Sequence, residues 1–391
     1  MPTKENNPPQ QSSASASANG SKHINRHIKA TRGRSARHLL TVKQLQESMV
    51  VAPPPSIKNA TIAGVQAALS ILIALVVTHL SPWPHLVAFP ALGALAALFG
   101  RYASVPRRRQ VVFICGILLT AGVLIPSLIS LGGATAGMMV LVLALFAGIY
   151  TIAVSHWRLG GPGAVIFVFA VGAVLGPVDS WSTVLERTLA TGCGALVAWL
   201  VCMLTDRWRS QAVVIAGQSG NRPPFKHQLI AAGRITIGAA LAALVAYWAG
   251  WHYPAWAAIG ATAVMQGGHL HITMNRSLQR MAGTVVGACI VWAILVQDPP
   301  FWVLVAAIVI FQFITEIIIG YNYALGQITI TPMALLMTHL AAPVSGGNMP
   351  VERVVDTVVG AALGIGLAVI FSTMDDREYL ARRRKKIEAR H

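Results

Sequence analysis

Twelve apolar segments of helical length follow one another between about residue 60 and residue 372, and that series leaves the chain few folds to choose from. They run 60–80, 84–100, 108–131, 133–155, 162–178, 184–205, 228–250, 253–268, 278–296, 300–319, 322–342 and 351–372. A helix needs about 20 apolar residues to cross the hydrocarbon core of a bilayer. No water reaches backbone polar groups there, so a spanning chain must bond them internally. The expectation is an all-α integral membrane protein with about twelve transmembrane helices. Segments 84–100, 162–178 and 253–268 are short, and are expected to break or to span only in part. Ten or eleven full crossings is the alternative count.

Composition narrows the function. Hydrophobic residues make up 55% of the chain and charged residues 11%, against about 25% charged in soluble proteins. An ordinary soluble enzyme is excluded. Lys plus Arg number 30 and Asp plus Glu 13, a net charge of +17. Such basicity invites nucleic acid. The charges, however, sit in tails and in short turns between apolar runs, so no nucleic-acid partner is expected. Cys115, Cys193, Cys202 and Cys289 lie singly inside apolar segments, with no zinc-knuckle or disulfide spacing. No GxSxG, HExxH or Walker A run occurs. His269-x-His271 has no carboxylate or Cys close in sequence to complete a metal site. The chain is read as a non-enzyme with no cofactor and no metal.

Charge also orients the segments. With the N-terminus in the cytoplasm, Arg101, Arg107–Arg109, Arg158, Arg207, Arg209, Arg222, Lys226, Arg276 and Arg280 all fall on inner turns. So do Arg382, Arg383, Arg384, Lys385 and Lys386 of the C-terminal tail. The opposite turns carry no Lys or Arg, but they hold Asp179 and Asp298. This is the positive-inside asymmetry. Arg187 and Arg353 stand apart from it, just inside the outer ends of segments six and twelve. Both termini are expected in the cytoplasm of a bacterial inner (plasma) membrane protein. Residues 1–57 read as a disordered basic tail, with Lys22, Arg26, Lys29, Arg32, Arg34 and Arg37 facing anionic lipid head groups. Residues 373–391 read as a second basic tail.

The two halves repeat. Leu185-Glu186-Arg187 with Thr191 and Gly194-Ala195 matches Val351-Glu352-Arg353 with Thr357 and Gly360-Ala361. His85, Phe89, Gly93-Ala94 and Gly100 match His252, Trp256, Gly260-Ala261 and Gly267. Arg109 with Gly116 matches Arg280 with Gly287. The expected layout is a six-helix repeat over 58–206, a cytoplasmic linker over 207–227 and a second six-helix repeat over 228–372. Six crossings is an even number, so the halves point the same way, as parallel repeats do. Gly172-x-x-x-Gly176, Gly283-x-x-x-Gly287 and Gly360-x-x-x-Gly364 mark close helix packing.

Polar groups inside the spans are few and therefore informative. The acids are Glu186, Glu316, Glu352 and Asp356. They are read as ion-pair or proton-coupling groups. Arg353 and Asp356 are three residues apart and can share a helix face. Arg187 and Arg353 offer forked donors to an anion, or else fix helix packing. Arg109, Arg234 and Arg280 sit at inner mouths, as snorkelling anchors or as an electropositive vestibule. Glu316 reads as a lone carboxylate bonded to Asn322, Tyr323 or water, or as a proton carrier. Thr329, Thr331 and Pro332 interrupt segment eleven, either lining a cavity or making a kink. The candidate substrate-binding set is Arg187, Arg234, Arg280, Arg353, Asn322, Tyr323 and Thr331. Trp83, Trp181, Trp251, Trp256 and Trp302 read as an interfacial aromatic belt; the alternative for Trp256 is stacking on an aromatic ligand.

One stretch carries a family likeness. It has Arg234, Tyr253-Pro254-Ala255-Trp256-Ala257-Ala258 and Gln279-Arg280-Met281-Ala282-Gly283-Thr284-Val285-Val286-Gly287, then Asn322-Tyr323, Thr331-Pro332 and Arg353-Val354-Val355-Asp356-Thr357-Val358-Val359-Gly360. The sequence resembles the fusaric acid resistance-like (FUSC) family, which is related to the aromatic acid exporters and, more distantly, to the plant aluminium-activated malate transporters. The resemblance implies a multi-pass transporter for efflux of aromatic or other organic acids. Two departures stand out. The link between the halves is only about 206–227, where many members carry a large cytoplasmic domain, and Ala190 occupies the place of Asp356 in the first half. The expected function is export of small organic anions, with proton coupling carried by Glu316 and Asp356. A passive anion channel and a non-transporting membrane scaffold are the competing readings, and a homodimer is compatible with either.

Overall fold

The computed structural model describes residues 48, 50–51, 53–209, 223–267, 270–341 and 348–372. The basic clusters of both tails, His269 and most of the linker lie outside the described residues. Among those described, the chain forms twelve α-helices and no strand. They are α1 (Ile57–His79), α2 (Ala88–Ala94), α3 (Val105–Leu131), α4 (Ala136–Trp157), α5 (Ala164–Gly172) and α6 (Trp181–Thr205) in the first half. The second half holds α7 (Phe225–Trp248), α8 (Pro254–Met265), α9 (Leu270–Leu295), α10 (Phe301–Ile318), α11 (Tyr323–Ala341) and α12 (Met349–Ile370).

Local chemistry places the helix ends. The Ser56, Thr135 and Ser180 side chains accept from the backbone N–H of Asn59, Met138 and Thr183, starting α1, α4 and α6. Proline occupies the first turn of α3, α8 and α12, where its missing N–H costs nothing. Arg158 ends α4 in the left-handed region, at φ 49°. Nine of the described helices are long and apolar enough to cross a membrane. The other three, α2, α5 and α8, fall in the three short segments picked out above. A 3-10 turn, Leu95–Leu98, extends α2. Pro332 does not interrupt α11, which runs unbroken past it. The expected break is thus a helix with one proline inside it.

The packing is ordered. Within the first half, α1 meets α2 and α6, α2 meets α6, and α3 meets α5 and α6. Within the second, α7 meets α8 and α12, α8 meets α12, and α9 meets α11 and α12. Across the middle, α4 packs on α7 and α10 on α1, while α5 meets α8 and α2 meets α11. Two crossings depend on glycine. A Cβ at Gly194 would sit 1.9 Å from Pro90 O, and one at Gly360 would sit 2.3 Å from Ala257 O. Backbone meets backbone there, which brings α6 against α2 and α12 against α8 at van der Waals distance. Small residues do this work in lipid, where no hydrophobic force pulls helices together.

The bundle has two chemically different ends. One end, here called the basic end, gathers Arg101, Arg107, Arg108, Arg109 and Arg209 around the turn 100–104 and the adjoining ends of α3 and α6. The opposite end carries exposed Trp83, Trp181 and Trp302, and His79 stacked on Phe301 with ring centroids 3.6 Å apart. Trp256 is not part of such a belt. It is 4% exposed, inside the bundle.

Candidate functional site

The short helices α2 and α8 each begin at the end opposite the basic one, and each is tied to the last helix of its own half. His252 Nδ1 lies 2.6 Å from Glu352 Oε1, and His85 Nε2 lies 3.6 Å from Glu186 Oε2. Both histidines are exposed and Glu352 is the more buried acid. One residue further along, Arg353 stands with its Cζ 5.1 Å from the Trp256 ring centroid, and Arg187 with its Cζ 5.5 Å from that of Phe89. These are cation–π distances. Trp256 in turn stacks on Tyr253, with centroids 4.1 Å apart and planes 14° apart.

The two arginines differ in surroundings. Arg187 is half-buried. Arg353 is 2% exposed, and its Nε and Nη1 have no hydrogen-bond partner among the described residues. Asp356, one turn further along α12, is fully buried, and neither carboxylate oxygen has a partner there. The two residues share a helix, but no salt bridge within 4.0 Å joins them. Arg353 and Glu352 are within electrostatic reach of Asp356, and Arg280 is within reach of Arg353.

Arg280 comes from α9. Ser277, Arg280 and Thr284 recur at helical spacing on its buried face. The Arg280 Nη1 donates to Tyr323 Oη at 3.2 Å and to Gln327 Oε1 at 3.5 Å, and its Nε has no partner among the described residues. Buried hydroxyls without partners among the described residues lie on these helices and on α8: Ser277 and Thr284 on α9, Thr331 on α11, Thr357 on α12 and Thr262 on α8. Buried polar groups are normally bonded, to protein or to something else. The second half therefore holds donors and acceptors in excess of what its own side chains satisfy.

The remaining candidates have other positions. Asn322 donates to Ser48 O at 3.1 Å and to Val50 O at 3.0 Å, and its Oδ1 accepts from the Ala324 N–H at 2.7 Å. Its capacity is occupied by the segment before α1. Arg234 is half-buried on α7. Thr329 bonds Thr315 at 2.6 Å rather than lining a site. Glu316 is neither alone nor bonded to Asn322 or Tyr323. It is salt-bridged to Arg101 of the other half. Arg109 and Arg280, aligned in sequence, are unlike in place: Arg109 bonds Asp206 Oδ2 at 2.7 Å with its side chain half in the open. The sequence reading overlooked Gln327, whose signal was available. It is a polar residue four positions after Tyr323 inside a span, on the same helix face.

Residues 241–367 match the family described as fusaric acid resistance protein-like. The match takes in α8 to α11 whole, and with them Trp256, Arg280, Tyr323, Gln327, Arg353 and Asp356. An uncharacterized membrane protein of Bacillus subtilis (strain 168), YvaC, is 33% identical to this chain over 111 residues, 28% of this chain and 18% of that protein. The match therefore spans less than a fifth of the length of that relative. No solved structure matches the chain.

Proposed function

We propose that this multi-pass membrane protein, fusaric acid resistance protein-like in its second half, is a secondary transporter that exports small organic anions such as aromatic carboxylic acids. One observation carries the reading. Arg353 of α12 is buried beside Trp256 in the first turn of α8, its Nε and Nη1 meet no acceptor among the described residues, and Arg280 adds a second buried positive charge within reach. A buried unpaired guanidinium is costly. A carboxylate is the natural complement to its fork. Short helices that start inside a membrane protein are a recurrent setting for anionic groups of substrates.

In this reading the basic end faces the cytoplasm, in keeping with the positive-inside rule, and both termini lie on that side of a bacterial inner membrane. The two halves act as parallel six-helix repeats. Support comes from pairing: each contact among α1 to α6 named above has a counterpart six helices on, and the His–Glu, Arg–aromatic and Gly–backbone contacts recur with it. The halves are unequal in chemistry, because Ala190 stands where Asp356 does. The second half is then the binding half and the first its scaffold. Asp356 is the proton-sensitive group, a carboxylate buried beside the anion site. Its charge would oppose that of the substrate, and protonation removes it. Glu316 serves as an ion-pair group.

The test is efflux from proteoliposomes holding the purified chain, using a panel of aromatic and aliphatic carboxylates, with and without an imposed pH gradient. Gradient-dependent flux supports the exporter. Flux indifferent to the gradient moves the assignment to a passive anion channel. Absence of flux from folded protein leaves the scaffold reading.

A further inference from the structure

A second set of unmatched guanidinium groups lies at the basic end of the first half, remote in sequence from the Arg280–Arg353 pair. Arg108, in the first turns of α3, is fully buried. Its Nη2 donates to Ala97 O at 3.1 Å and lies 3.5 Å from Cys202 Sγ. Its Nε and Nη1 have no partner among the described residues. Arg209 follows the 3-10 turn Asp206–Trp208 at the end of α6. Its Nη2 donates to the carbonyls of Arg101 and Ala103. Its Nε and Nη1 are likewise buried and without a partner.

Nearby acids offset the pair only in part. Glu316 is held by Arg101. Asp206 directs Oδ2 to Arg109, while its own Oδ1 is buried without a partner among the described residues. Burial, with the Arg108 charge alongside and only partly offset by the Asp206 carboxylate, pushes the Arg209 guanidinium down to about 10. The helix start adds to the imbalance. Arg107, Arg108 and Arg109 occupy the first turns of α3, where the helix dipole favours negative charge. Ser104 precedes that helix without making a side-chain cap.

We infer that Arg108 and Arg209 form a binding site for a phosphoryl oxyanion at the basic end of the first half. The Nε and Nη1 of the two residues make four donor nitrogens that no described residue meets. That number suits the several acceptor oxygens of a tetrahedral anion, each met by a charge-assisted hydrogen bond. The site lies where two helices long and apolar enough to cross a membrane, α3 and α6, end. A phospholipid phosphate and free inorganic phosphate therefore present it with the same chemistry. It shares no residue with the proposed transport site, so the two assignments stand or fall separately.

The experiment uses the full chain purified in detergent. In one arm, thermal unfolding is followed against inorganic phosphate at constant ionic strength, with chloride as the reference. In the other, native mass spectrometry compares retention of phosphatidic acid, phosphatidylglycerol and phosphatidylcholine. The expected result is saturable stabilisation by phosphate, which identifies a free anion, or selective retention of an anionic phospholipid, which identifies a head group. Arg209→Gln should weaken whichever is seen by at least tenfold, and Arg207→Gln, which changes an exposed neighbour, should not. Arg108→Gln should act in the same direction. Because Arg108 is wholly buried, the partly exposed Arg209 is the deciding position. Absence of both effects in the wild-type chain overturns the proposal, and so does unchanged binding in Arg209→Gln.

Discussion

Arg101 and Glu316, 215 positions apart in the chain, form a salt bridge that ties the first half to the second. Their side chains are 15% and 4% exposed. Burial works against the Arg101 charge, but the Glu316 carboxylate and Tyr102 together outweigh it and hold the guanidinium above its ordinary range. Removing one partner strands the other charge, at a cost of about 3–5 kcal/mol. Glu316→Gln should therefore lower the unfolding temperature in detergent. Arg101→Met combined with Glu316→Met should recover most of the loss, since a packed apolar pair replaces a buried ion pair with little penalty. Gradient-driven efflux should survive in that double variant. Efflux lost from a stable double variant would return Glu316 to the list of proton carriers.

Arg353 predicts a loss specific to transport. Arg353→Lys keeps the charge but loses the planar fork and its stacking over Trp256. Initial efflux rates should fall at least tenfold in Arg353→Lys and further in Arg353→Ala, with insertion unchanged. Arg187→Lys, at the half-buried counterpart position, should have the smaller effect. Equal losses at both positions would argue that the halves contribute alike.

Asp356 predicts a change in coupling. In Asp356→Asn the buried group can no longer exchange a proton. Efflux driven by an anion gradient should persist while its response to an imposed pH gradient disappears. Retained pH dependence in this variant would place coupling elsewhere.

The glycine crossings give a stability contrast within one helix. At Gly360 a Cβ meets backbone 2.3 Å away, whereas at Gly366, also on α12, nothing lies within 4 Å. Gly360→Ala should destabilise, by about 1–3 kcal/mol as overpacking does. Gly366→Ala should be neutral or stabilising, by up to about 1 kcal/mol, because alanine is the better helix former. Thermal unfolding of the two variants side by side reads the difference.

Orientation has its own check. Asp179 and Arg207 are both exposed and lie at opposite ends of α6. In a background lacking the exposed Cys193 and Cys289, Asp179→Cys should react with an impermeant thiol reagent from outside the cell. Arg207→Cys should react only after the membrane is opened. The reverse pattern would invert the topology.

The helices of this protein were legible in its sequence. The length of an apolar run and the chemistry of its ends decide where a helix can stand in lipid, and both are local properties. The short segments at α2, α5 and α8 were visible for the same reason, and so was the pairing of Glu186-Arg187 with Glu352-Arg353. What each polar group meets was not legible. Arg101 finds Glu316, Asn322 finds the backbone of Ser48 and Val50, and Arg108 comes within electrostatic reach of Arg209. Each of these depends on how helices distant in sequence are rotated and how closely they approach. Hydropathy carries no information about that, because every face of a helix in lipid can be apolar. Sequence also made Arg109 and Arg280 look equivalent. Only the packed bundle separates a half-open arginine with a carboxylate from a buried one held by a tyrosine and a glutamine.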